Sequence, residues 1–461
     1  MTSFEALLRG VVRPSPLPGR ERYRRAIATG LVSLAGRGVG ILVVLASVPL
    51  TLPYLGAERY GAWMTLSSIQ TMASFSDLGI GNGLINAVAE ADGRSDHVAL
   101  TRAVSSAFAM LLGVAAVLGI VLAVAFPFIP WAAVTNVQDG MSGEVTRTAA
   151  VVGFTFVVGL PLGVVQRVQM GRQQGFIASA WAIAGSVLGL AGMALAVSAK
   201  ATLPWVAFGA AVGPLLASLA NTILTLVKSG TVRPRISAVD LGTAHLLFRL
   251  GGLFFVLQLA SAVAYSADNV VVAQVIGAQA VPQYAVPMKL FGFISVLVGL
   301  AVTPLWPAYA EAIASGDAWW VKGALRRSLA ATCIFSTLLA TTLLIVGRPV
   351  IHLWAGSMIS APTGLLVGCA AWAVLGSAGS TCAMFMNGAR VVRVQVIASV
   401  AMAVTNLLLS VWLASKIGIA GIVWGTVISY AVFVAIPYAV ILPRIVDDIC
   451  SAHPRPVAEG A

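Results

Sequence analysis

Residues 103–129 read AVSSAFAMLLGVAAVLGIVLAVAFPFI, without one charged side chain. As a helix rising ~1.5 Å per residue, the run reaches ~40 Å, more than the ~30 Å hydrocarbon core of a bilayer. Lipid offers no partner to backbone N–H and C=O groups, so an apolar run of this length satisfies them internally as a membrane-spanning helix. The rest of the chain repeats the pattern. Of its 461 residues, 59% are hydrophobic and 10% charged, against roughly 45–50% and ~25% in soluble domains. The mean hydropathy is +0.94. Runs at 27–54, 61–89, 103–129, 147–168, 176–198, 205–227, 246–276, 281–310, 325–346, 363–387, 394–415 and 420–442 predict twelve helices. The expected fold is all-α and polytopic, with two six-helix lobes around a central cavity. Twelve spans of ~22 residues leave only short loops, so no large soluble catalytic domain fits and no enzyme is expected.

Charge sets the orientation. The net charge is +12, and the positive-inside rule sends that excess to cytoplasmic segments. With an internal N-terminus, only Arg59, Arg147, Lys200, Arg348 and Lys416 fall outside, and Arg37 and Lys289 fall inside helices. The other lysines and arginines of the 28 lie on the inner side, Arg167 and the six arginines of the N-terminal stretch among them. Both termini are therefore expected in the cytoplasm. Residues 1–26 form a basic tail, and the first apolar run is too long for a cleavable signal. No groove of interleaved aromatic and basic residues supports nucleic-acid binding.

The two halves echo each other. Gly56-Ala57 maps onto Gly277-Ala278, and Ala89-Glu90-Ala91 onto Ala310-Glu311-Ala312, both at an offset of 221 residues. Lobes at 27–230 and 246–443 follow, joined by a basic loop at 231–245 and ending in a tail at 444–461. Parallel repeats about an axis along the membrane normal are a transporter architecture.

Four charges lie well inside helices: Arg37, Asp77, Asp268 and Lys289. Each costs ~2.5–3.5 kcal/mol on insertion scales, so each must face protein or water. Three- and four-residue spacing puts them on polar stripes. Ser33, Arg37, Gly40, Ser47 and Thr51 share one helix face. Ser67, Gln70, Ser74, Asp77 and Gly81 share another, and Gln258, Ser261, Tyr265 and Asp268 a third, followed by Asn269. By helix rise, Asp77 lies at the depth of Arg37, and Asp268 at that of Lys289. Two packing ion pairs are one reading. The other gives Arg37 and Lys289 to an anionic head group, since a guanidinium fork and an ammonium both bind phosphate. The acids could also carry coupling H+ or Na+. The candidate cavity residues are Arg37, Lys289, Asp77, Asp268, Gln70, Gln258, Tyr265 and Asn269.

Other chemistry lacks its residues. There is no GxxxxGK[ST] phosphate loop. His97, His245, His352 and His453 are scattered. Cys333, Cys369, Cys382 and Cys450 have neither metal nor disulfide spacing. No metal or other cofactor is expected.

The stretch Leu55-Gly56-Ala57-Glu58-Arg59-Tyr60-Gly61-Ala62-Trp63, with Asp77-Leu78-Gly79-Ile80-Gly81 and Asn86, resembles the Wzx-type polysaccharide flippases. Gln258-Leu259-Ala260, Asp268 and Gly277-Ala278 are similar to that family too. The resemblance places the chain in the multidrug/oligosaccharidyl-lipid/polysaccharide exporter superfamily. It implies a bacterial inner-membrane protein that moves undecaprenyl-diphosphate-linked oligosaccharide to the periplasmic leaflet by alternating access, for O-antigen, capsule or exopolysaccharide. Its implied partners are that lipid-linked glycan, membrane lipids, and a polysaccharide polymerase with other assembly proteins. Arg37 and Lys289 match the family's theme of cavity cations, not a fixed motif. The alternatives are a cation-coupled multidrug exporter on the same fold and a membrane glycan polymerase. Equal numbers of buried acids and bases, two each, lean toward an anionic cargo.

Overall fold

The computed structural model of the chain describes residues 19–228, 232–314, 316–389 and 391–452. The described chain is helical. The main helices are α1 (Gly19–Met72), α2 (Ile80–Gly93), α3 (His97–Ala125), α4 (Ser142–Gly171), α5 (Gly175–Ser198), α6 (Leu203–Lys228), α7 (Leu241–Ser266) and α8 (Asp268–Val275). They continue with α9 (Val281–Val302), α10 (Leu305–Ala314), α11 (Ala318–Ala355), α12 (Thr363–Gly388), α13 (Val392–Ile417), α14 (Ile419–Tyr430) and α15 (Ile436–Ala452). Among the described residues, ten helical stretches are long and apolar enough to cross a membrane. Their outer faces carry exposed Ile120, Val124, Leu338, Ile345 and Leu408, an apolar surface that lipid covers without cost.

Three of the twelve expected spans are not continuous, and the one expected at 281–310 is broken by a turn at 303–304 between α9 and α10. The run expected at 61–89 ends as α1 at Met72, passes through a 3-10 turn at Ala73–Asp77, and restarts as α2. Leu78 (φ 52°) and Gly79 (φ 74°) are both left-handed, a conformation that costs a leucine ~1–3 kcal/mol. Asp77 stabilises the corner: its Oδ1 accepts from the Gly79 N–H at 2.9 Å. A Cβ at Gly79 would also run into the backbone carbonyl of Gly251 in α7. The run expected at 246–276 is interrupted at Ala267, between α7 and α8. At the far end, the last span contains a π turn at Ala431–Ala435 and runs on to Ala452.

By contact, the chain forms two compact units. The first holds residues up to Tyr54, Ala73–Ala132 and Gln138–Gln258; the second holds Leu55–Met72, Ala133–Val137 and Leu259 onward. The contact boundary therefore falls inside α7 rather than in the 231–245 loop, and the end of α1 counts with the second unit. Within the first unit that loop is pinned to α3. Ser105 Oγ accepts from the Arg235 N–H at 3.0 Å, and Ser106 Oγ from the Asp240 N–H at 3.0 Å. Asp240 caps α7 through Thr243, whose hydroxyl and N–H hold the carboxyl below its usual value of 3.8. α4 and α6 are clamped by buried Gln169 and Asn221, amide to amide at 2.7 and 3.1 Å.

The second unit contains both repeat-related corners. Gly56 (φ 74°, ψ 168°) and Gly277 (φ 125°, ψ 158°) adopt similar conformations, left-handed in φ and extended in ψ. Gln279 Nε2 donates to Glu58 Oε2 at 3.3 Å. These two side chains stand 221 positions apart, the offset of the sequence repeat.

Candidate functional site

In the second unit, Gly56 turns the chain so that residues 57–72 pack as a separate helical segment. That segment brings Tyr60 and Met64 to one face, four residues apart. Lys289 comes from α9. Its Nζ donates to the Tyr60 hydroxyl at 3.0 Å and to Met64 Sδ at 3.4 Å, and lies 5.5 Å from the Tyr60 ring centroid. Lys289 is half-buried and Tyr60 is buried. Among the described residues, no ion pair involves Lys289. A cation over a ring gains ~0.5–2 kcal/mol, but a hydroxyl and a thioether leave its net charge in place.

Asp268 opens α8 and is buried. Its Oδ2 accepts from the Tyr284 hydroxyl at 2.5 Å. Of the two readings of Asp268 and Lys289, the packing ion pair is not formed: depth along two helices places them level, but a tyrosine of α9 takes the acid and a tyrosine of α1 takes the base. Beside it, Asn269 donates from Nδ2 to Ser68 Oγ at 3.0 Å, while its Oδ1 is buried with no hydrogen-bond partner among the described residues. Gln70 is half-buried on the 57–72 segment. Tyr265, near the end of α7, is exposed, and its ring tilts onto Trp372 of α12.

In the first unit, Asp77 is buried and lies 3.9 Å from Arg167 Nη2 of α4. Arg167 stands in the last turn of the run expected at 147–168, at its cytoplasmic end. The helix it stands on runs on to Gly171, which carries the guanidinium alongside the α2 start. A Cβ at Gly81 would sit 2.9 Å from Asp77 Oδ2 and 3.0 Å from Arg167 Nε, so glycine is what lets the pair lie against the helix. The Arg37 side chain lies outside the described residues, as do those of Ser33, Ser74 and Ser261. Gln258 is half-buried at the end of this unit. Among the described residues, no three His, Cys, Asp or Glu side chains gather as a metal site.

Three partners escaped the sequence reading. Arg167 carried a usable signal, because the uninterrupted helical run from Ser142 extends past it. Tyr60 stands inside the quoted Leu55–Trp63 stretch, yet nothing local ties it to a lysine 229 residues away. Tyr284 carried no signal, since its role exists only once α8 and α9 meet.

Residues 24–312 match the polysaccharide biosynthesis protein family. A Yersinia pseudotuberculosis protein assigned to O-antigen export is 22% identical over 277 residues, covering 60% of this chain and 63% of that protein. The chain thus matches somewhat under two thirds of that relative's length. Among solved structures, an inward-facing multidrug resistance MATE family transporter of the MOP superfamily superposes with a TM-score of 0.76 at 14% identity, covering 92% of this chain and 99% of that one. The lipid II flippase MurJ in an inward closed conformation gives 0.69 at 12% identity, covering 92% and 90%. These likenesses establish an all-α, polytopic membrane fold of the kind those transporters share.

Proposed function

This chain belongs to the polysaccharide biosynthesis protein family, and from that premise we propose that it is a flippase for undecaprenyl-diphosphate-linked oligosaccharide. The cargo moves from the cytoplasmic to the periplasmic leaflet of a bacterial inner membrane, by alternating access of two six-helix lobes, for surface polysaccharide assembly. Both termini face the cytoplasm. The proposal includes the twelve-helix repeat architecture, coupling to H+ or Na+, and hand-over to a polysaccharide polymerase.

The observation that carries it is Lys289. A half-buried ammonium within a membrane helix is expensive, and the groups around it hold it without neutralising it. Such a charge is suited to an anion that itself travels in the membrane, and a lipid diphosphate is one. Asp268 is occupied by Tyr284 and does not compete for the lysine. Arg37 is proposed as the second cation of the head-group site, with Asp77, Gln70, Gln258, Tyr265 and Asn269 as polar wall.

The test is complementation of a strain lacking its polysaccharide flippase, scored as surface glycan per unit of membrane protein. Restored glycan with cleared inner-leaflet lipid-linked oligosaccharide is the expected result. Export of cationic dyes without glycan restoration would replace this reading with the multidrug one.

A further inference from the structure

Three aromatic rings of the second unit form a buttressed stack. Tyr430, the last residue of α14, is 6% exposed. It lies so close to α12 that a Cβ on Gly379 would overlap its hydroxyl. The π turn begins at the next residue, Ala431. Tyr430 meets Trp372 edge-on, with centroids 5.2 Å apart and planes at 81°. Trp372 in turn lies 5.6 Å from Tyr265, with planes inclined by 33°. The rings thus grow more accessible in order, and the outermost, Tyr265, is 45% exposed.

Tyr265 shares its sequence stripe with Gln258, Ser261 and Asp268, and Asp268 is buried three positions on. An open aromatic face on a polar stripe suits a ligand that is itself polar yet has an apolar side. A pyranose ring has that character: its hydroxyls lie around the rim, and one face presents C–H groups of partial positive charge. Those C–H groups meet the negative face of an aromatic ring. The tyrosine hydroxyl adds one donor and one acceptor for a sugar hydroxyl. Two χ angles and the support of Trp372 limit what the ring loses on binding.

We propose that Tyr265, held by Trp372 and Tyr430, is a stacking shelf for a sugar ring of the transported glycan. The proposal rests on the flippase reading above and adds a subsite to it, separate from the Lys289 cation. Lys289 holds the diphosphate common to all such lipids, and Tyr265 senses whether a sugar is attached.

The experiment measures binding to the full chain in nanodiscs, using undecaprenyl diphosphate and undecaprenyl-diphosphate-linked N-acetylglucosamine. Wild type should bind the sugar-bearing lipid more tightly than the bare one. Tyr265→Ala should lose about tenfold in affinity for the sugar-bearing lipid and keep its affinity for the bare one. Tyr265→Phe should retain most of the difference, and Tyr265→Leu, which fills the space without a ring, should lose it even if the alanine variant folds poorly. Lys289→Met should weaken both lipids. Equal weakening of both lipids by Tyr265→Leu, or none of either, would overturn the shelf while leaving the flippase reading intact. A wild type that binds neither lipid would overturn the flippase reading and the shelf together.

Discussion

Lys289 Nζ lies 3.0 Å from the hydroxyl of Tyr60, a residue 229 positions earlier in the chain. The lysine is thereby oriented by a neutral partner, and its charge remains for a ligand. Lys289→Met should cut surface-glycan export by roughly 10- to 100-fold, the scale of a lost charged hydrogen bond. Lys289→Arg should retain part of it. Tyr60→Phe keeps the ring beneath the cation and should cost only a few-fold. Complementation normalised to protein level reads all three, and wild-type export by Lys289→Met would remove the lysine from the mechanism.

Asp77 and Arg167 give a different pattern. Their side chains are 11% and 37% exposed, between the surface and buried limits. Arg167→Ala should therefore cost about 1–2 kcal/mol, because Asp77 is left without its counter-charge. The double variant Arg167→Ala/Asp77→Asn should melt above the single one in detergent, since an asparagine can still cap Gly79. A double variant less stable than Arg167→Ala would mean that Asp77 is held by another cation.

The corner between α1 and α2 depends on Gly79. An alanine there pays for a left-handed conformation, ~1–2 kcal/mol, and meets the Gly251 carbonyl. Gly79→Ala and Gly251→Ala should each destabilise by roughly 3 kcal/mol or more. Gly252→Ala is the control. A Cβ there meets nothing within 4 Å, and alanine favours a helix over glycine by ~0.5–1 kcal/mol, so it should be neutral or stabilising. Thermal unfolding of purified protein separates the three.

Orientation is testable by labelling. In a variant without Cys333, Cys369, Cys382 and Cys450, single cysteines beside Asp139, Lys200 and Lys416 should react with an impermeant maleimide from the periplasmic side. Cysteines beside Arg233 and Arg390 should react only after the membrane is opened. Labelling of the latter pair in intact cells would invert the proposed topology.

Composition alone determined that this is a helical membrane protein, because apolar runs that long leave the backbone no other way to satisfy itself in lipid. The 221-residue offset also pointed, from sequence, to the two corners at Gly56 and Gly277 that adopt related conformations. The sequence likewise singled out Arg37, Asp77, Asp268 and Lys289 as charges that need a reason, since lipid penalises each wherever it points. What it could not supply was their partners. Helical rise puts Asp268 and Lys289 level, but rise measures depth and not azimuth. Only the packing of α8, α9 and the 57–72 segment decided that Tyr284 takes the acid and Tyr60 the base. The same holds for Arg167, Trp372 and Tyr430. Each acquires its role through contacts between helices distant in sequence, which local periodicity does not encode.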